Sequence, residues 1–70
     1  MVDFYIDYAQ LMLDREDYLP IAMLLKRLDE SEPEAAEQVR SVLYVMDKKA
    51  DIKVRKALDE HHSRLYRKRR

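Results

Sequence analysis

The chain contains no cysteine, no glycine and no tryptophan, and only two prolines in 70 residues. Without cysteine there is neither a disulfide nor a thiolate metal site, so two common reinforcements of small domains are missing. The lack of glycine argues against tight β-hairpins, whose primed turns need positive φ. Strand-like alternation is absent as well. The chain therefore reads as all-α, with Pro20 and Pro33 as punctuation between helices. The longest apolar run, "LPIAMLL", has seven residues, far short of the roughly 20 that a transmembrane helix needs. Asp3 and Asp7 stand where a secretory signal would carry Lys or Arg. The expectation is a cytoplasmic protein with no membrane contact.

A chain of this length forms one domain and buries only about 60% of the surface it exposes when unfolded. Stability then has to come from regular helix packing or from self-association. The division expected is a single helical domain over 1–63 and a basic C-terminal tail over 64–70, which holds five positive charges in seven residues.

The net charge of zero conceals an asymmetry. Residues 1–37 carry ten acids and three bases, whereas residues 38–70 carry four acids and eleven bases. Oppositely charged halves favour folding back on each other, or head-to-tail pairing between chains.

Helix periodicity places the first helix after Asp3, as N-cap, and runs it to about Arg15. Its polar residues Asp3, Asp7, Gln10 and Asp14 form one narrow stripe. Phe4, Tyr5, Ile6, Tyr8, Ala9, Leu11, Met12 and Leu13 fill the rest, a far wider apolar surface than an ordinary surface helix shows. Such a helix calls for cover on most of its circumference, by a second copy or by another protein. The partner-binding residues expected are Phe4, Tyr5, Tyr8, Met12 and Leu13.

A second helix starts near Asp17, with Pro20 in its first turn, and places Ile21, Leu24, Leu25 and Leu28 on one buried face. Ser31 and Glu34 fit a capping box for a third helix, with Pro33 in the first turn. Ala35 or Ala36, Val39, Val42, Leu43 and Met46 then share a face that Tyr44 and Val45 widen. At "DKKAD" two readings compete. Asp51 would cap a fourth helix with Val54, Ala57, Leu58, His61 and Leu65 inward. Alternatively the register runs on unbroken, and the favoured expectation is one helix from about Glu32 to about Tyr66, roughly 50 Å long. The fold class expected is a small helical hairpin or three-helix bundle with a long C-terminal helix.

Candidate chemistry is sparse. His61 and His62 are adjacent, so on a helix they point about 100° apart and do not converge on one metal. Asp59 with His62, and Asp47 with Asp51, are half-sites. Ser31 reads as a cap, and a helical chain of this size leaves little room for a pocket of the usual 300 Å³ or more. No catalytic residue, metal or cofactor is assigned. The stretch "DYLPIAMLLKRLDESEP" resembles the cadence of a tetratricopeptide repeat, and Tyr5, Tyr8, Ala9 and Met12 ahead of it and Pro33 at its end stand in matching places. Glu16 and Ile21 occupy the positions of its small residues, however, and no second repeat follows residue 52, so no membership follows.

Lys49, Lys53 and Lys56 would line one helical face, with Arg64, Arg67, Lys68, Arg69 and Arg70 beyond them. These cations suit phosphate or an acidic protein, and Tyr66 could stack on an unpaired base. They also complement a helix C-terminus. The function expected is a non-catalytic interaction module: an adaptor, regulator or chaperone-like subunit, homodimeric through the aromatic first helix. The alternative is a small dimeric nucleic-acid-binding regulator that uses the basic C-terminal helix.

Overall fold

Four helices in succession make up the computed structural model: α1 (Val2–Asp14), α2 (Tyr18–Ser31), α3 (Pro33–Met46) and α4 (Ala50–Lys68). The structure describes the backbone of residues 2–68 and the side chains of residues 3–65. The all-α expectation holds, but the bundle has four helices rather than three. The single helix expected over 32–66 is broken at Asp47–Lys49.

Each boundary has a local cause. α1 already includes Val2, so Asp3 lies in the first turn rather than at the cap, where its carboxylate still complements the macrodipole. The helix ends in a Schellman motif. The Glu16 amide donates to the Leu13 carbonyl (3.0 Å) and the Asp17 amide to the Met12 carbonyl (2.9 Å), with Glu16 at φ 57°. Glycine ordinarily fills that left-handed position. A chain without glycine places glutamate there.

α2 and α3 meet at Glu32, which closes one helix and opens the next. The capping box expected from Ser31 does not form. Ser31 is the last residue of α2, and its hydroxyl donates back to the Arg27 carbonyl at 3.0 Å. Pro33 takes the first position of α3, where the missing N–H is harmless.

The break between α3 and α4 is the work of Asp47. Its backbone is extended (φ −152°, ψ 111°). One carboxylate oxygen accepts the Lys49 amide at 2.9 Å, and the other accepts the Lys53 ammonium at 2.7 Å. The chain bends there, and the Ala50 amide donates to the Asp47 carbonyl at 3.0 Å as α4 begins. The fourth-helix reading is therefore the one realised. Val54 is buried, and Ala57, Leu58 and His61 are half-buried, while Leu65 stays exposed.

Packing is most extensive between α2 and α4 and between α1 and α3, whereas α1 and α4 touch only marginally. The core consists of Ala9, Leu13, Ile21, Ala22, Leu25, Leu28, Ala35, Ala36, Val39, Leu43, Ala50 and Val54. Alanine recurs because it lets helix backbones approach closely. The largest fully buried side chains are only Ile21, Leu28 and Val39. The extents of 41 × 25 × 16 Å explain this, since the shortest spans about two helix layers at interaxial distances of roughly 8–10 Å. A body two helices deep has little interior. Of the α3 stripe, Ala35, Ala36, Val39 and Leu43 are buried and Val42 is half-buried, but Tyr44, Val45 and Met46 are exposed.

Two ion pairs reinforce the connections. Arg40 holds Asp29 through both guanidinium ends, at 2.8 and 2.6 Å, joining α3 to α2. Lys53 holds Asp47 across the bend. The Arg40 hydrogen bonds lower the Asp29 pKa, and the Lys53 and Lys49 N–H groups lower that of Asp47.

Three outcomes are expected. Ile21→Ala should destabilise the domain by about 2–5 kcal/mol, read as a shift of the urea midpoint. Glu16→Gly should stabilise it by about 0.5 kcal/mol, because relief of left-handed strain outweighs the added freedom of the unfolded chain. Thermal unfolding measures that gain. Because Asp29 and Asp47 titrate lower when folded, their contribution is complete above about pH 4 and is lost as pH falls through the lowered values. The Asp29→Asn/Asp47→Asn variant should consequently lose less stability than the parent chain between pH 6 and pH 3.

Candidate interaction surfaces

α1 turns Ala9 and Leu13 inward and leaves Phe4, Tyr8 and Leu11 out, at i, i+4 and i+7. Phe4 is 71% exposed and Tyr8 37%. The acidic residues Asp3, Asp7 and Asp14 run beside this strip and are exposed too. Of the five residues expected to bind a partner, Leu13 is buried in the chain's own core, and Tyr5 and Met12 are half-buried against it. Phe4 and Tyr8 remain available. The Tyr5 ring stands edge-on to Phe4 at 6.0 Å between centroids. The Tyr5 hydroxyl donates to the Glu32 carboxylate at 3.0 Å, which ties α1 to the α2–α3 junction. That bond, with the adjacent negative charge and some burial, raises the Tyr5 pKa.

Between α1 and α2 runs an open furrow of about 630 Å³ with Phe4 and Tyr8 on one wall, Met23 and Arg27 on the other, and Leu24 and Leu28 in its lining. Arg27 makes no ion pair among the described residues. A second open furrow, of about 730 Å³, lies at the α3–α4 corner beside Tyr44, Val45 and Ile52. Val45 is 84% exposed and Ile52 67%. Tyr44 and Val45, expected to widen the buried stripe, are exposed, as are Met23 and Ile52, to which the sequence pattern assigns no role. Only the spacing of seven between Val45 and Ile52 could have pointed to the second surface.

The basic residues do not form one face. Lys49 lies in the bend, not on a helix. Lys53 is committed to Asp47, and its ammonium sits 5.8 Å from the centroid of the Tyr18 ring. Hydrogen bonding to Asp47 raises its pKa. Arg55 pairs with Asp51 at 3.4 Å. Lys56 and Arg64 are exposed, with Asp59 and Glu60 between them in sequence. The side chains of Tyr66, Arg67, Lys68, Arg69 and Arg70 lie outside the described residues. Asp29–Arg40 is the one ion pair among the described residues that joins the acidic half to the basic half.

The His61 and His62 rings lie 6.1 Å apart and are tilted by 43°. Among the described residues no three His, Asp or Glu side chains gather as a metal ion would need, and no helix is long and apolar enough to cross a membrane. Comparison with protein-family models, curated sequences and solved structures finds no match to the chain.

Proposed function

We propose that this protein is a non-catalytic interaction module, an adaptor or regulator, that self-associates through the α1–α2 face. The observation that carries this reading is the exposed strip of Phe4, Tyr8 and Leu11 beside the α1–α2 furrow. In a chain whose core has alanine at five of twelve positions, aromatic side chains left in water are a strong reason to associate. The charges favour a second copy as the cover. Asp3 and Asp7 flank the strip, and Arg27, which has no ion-pair partner among the described residues, stands on the facing wall of the furrow. A two-fold arrangement sets Phe4 and Tyr8 of each copy into the furrow of the other and brings each Arg27 to the other's acids.

The alternative, a nucleic-acid-binding regulator, draws its support from a helix that continues to Lys68 and so carries part of the basic segment. Against it stand the pairing of Lys53 and Arg55 and the acids interleaved along α4. Phosphate contact would appear as a binding constant that falls steeply with salt, about 0.9 log units per contact for each log unit of salt.

Sedimentation equilibrium of the full chain is expected to give a dimer that persists at high salt. Tyr8→Glu should make it monomeric while leaving helicity unchanged. Arg27→Glu should weaken the dimer about tenfold, and adding Asp7→Lys should recover most of that loss. A chain that is monomeric at all accessible concentrations would defeat the self-association reading.

A further inference from the structure

The α3–α4 bend has an unusual status, because nothing in the sequence apart from Asp47 requires it. Between Met46 and Ala50 stand Asp47, Lys48 and Lys49, with no glycine or proline to stop a helix. The inward register passes straight through, from Val39 and Leu43 to Ala50 and Val54, all of them buried. The side-chain bonds at the bend come from one carboxylate with two N–H partners, the Lys49 amide and the Lys53 ammonium. α4 is anchored mainly on α2, further from it in sequence, and less on α3, to which it is joined.

Exposed apolar side chains flank this bend. Tyr44, Val45 and Met46 lie before it and Ile52 after it. On a straightened helix Val45 and Ile52, seven residues apart, would fall on one line, on the side opposite Leu43, Ala50 and Val54. That line has nothing to pack on in the single chain.

We infer that the bend is a hinge for exchange between two copies of this chain, in which α3 and α4 straighten into one helix and each α4 docks on the α2 of the other copy. The occupant is fixed by the interface reused. The surface that receives the incoming α4 is the one the chain's own α4 already covers, so no new complementarity is needed there. The Val45–Ile52 line lies on the other face of the straightened helix, where two such helices crossing at the two-fold axis cover each other's exposed apolar side chains. The exchange goes beyond the association through α1 and is independent of it.

Two substitutions act on the hinge in opposite directions. Asp47→Ala removes both side-chain bonds at the bend and leaves only the backbone bond from the Ala50 amide to the carbonyl of residue 47. Lys48→Pro forbids a straight helix through this point, yet it suits the bend, because Asp47 already has the extended backbone that a following proline requires. Both are made in the Tyr8→Glu background, so that association through α1 does not contribute. Sedimentation velocity should then show the Asp47→Ala chain dimerising at least tenfold more tightly than its parent. Spin labels on the exposed Glu37 and Lys56 should report a separation of about 28 Å, the length of 19 helical steps. Adding Lys48→Pro should return the chain to a monomer, and Asp47→Asn, which keeps an acceptor for the Lys49 amide, should stay closer to the parent than Asp47→Ala does. A folded Asp47→Ala chain that remains monomeric overturns the inference, as does a dimer that survives Lys48→Pro. Should Asp47→Ala fail to fold, the Tyr8→Glu chain is refolded from denaturant at millimolar concentration. A slowly dissociating dimer, missing from the Lys48→Pro version, is the result expected, and its absence overturns the inference.

Discussion

The arrangement of the whole molecule depends on a single carboxylate. By accepting the Lys49 amide and the Lys53 ammonium, Asp47 ends one helix and begins another without glycine or proline. The bend places Ala50 and Val54 in the same core cluster as Leu25 and Leu43 and so completes the small core. Were the chain straight at this point, α2 would lose its most extensive neighbour. The Asp47–Lys53 pair is partly exposed, so its importance is geometric: it selects one of two backbone paths that the sequence otherwise permits.

A body two helices deep, with alanine at five of its twelve core positions, covers only part of each helix. α1 illustrates the consequence. Its apolar surface extends most of the way round, α2 and α3 cover one side, and Phe4, Tyr8 and Leu11 are left over. The same shortage of cover leaves Tyr44, Val45 and Ile52 exposed at the opposite turn. Small helical chains commonly meet this shortage by association.

The charge pattern takes a different form from the one that the two halves imply on paper. α1 carries three acids and no base, and α4 carries six bases and three acids. These two helices barely touch, because each packs on α2 and α3. Neutralisation between the acidic and basic halves is therefore confined to Asp29–Arg40 among the described residues. The bases of α4 are partly answered by acids on or next to the same helix, as Lys53 is by Asp47 and Arg55 by Asp51.

Composition and periodicity alone determined that this chain is helical, that Pro20 and Pro33 sit in first turns, and that Ile21, Leu25, Leu28, Val39, Leu43 and Val54 point inward. These follow from local rules: missing glycine, fixed φ at proline, and the 3.6-residue repeat. The breadth of the apolar surface on α1 was legible for the same reason, though not which part of it would be used internally. Tertiary structure decided that Leu13 belongs to the core and Phe4 to the surface, since that depends on where α2 and α3 lie. It also decided the bend at Asp47, because an aspartate within a helical register is compatible with both paths until Lys49 and Lys53 supply its partners. Val45 and Ile52 are the clearest case. One sequence register places them on the back of a long helix, and only the fold reveals that nothing covers that back.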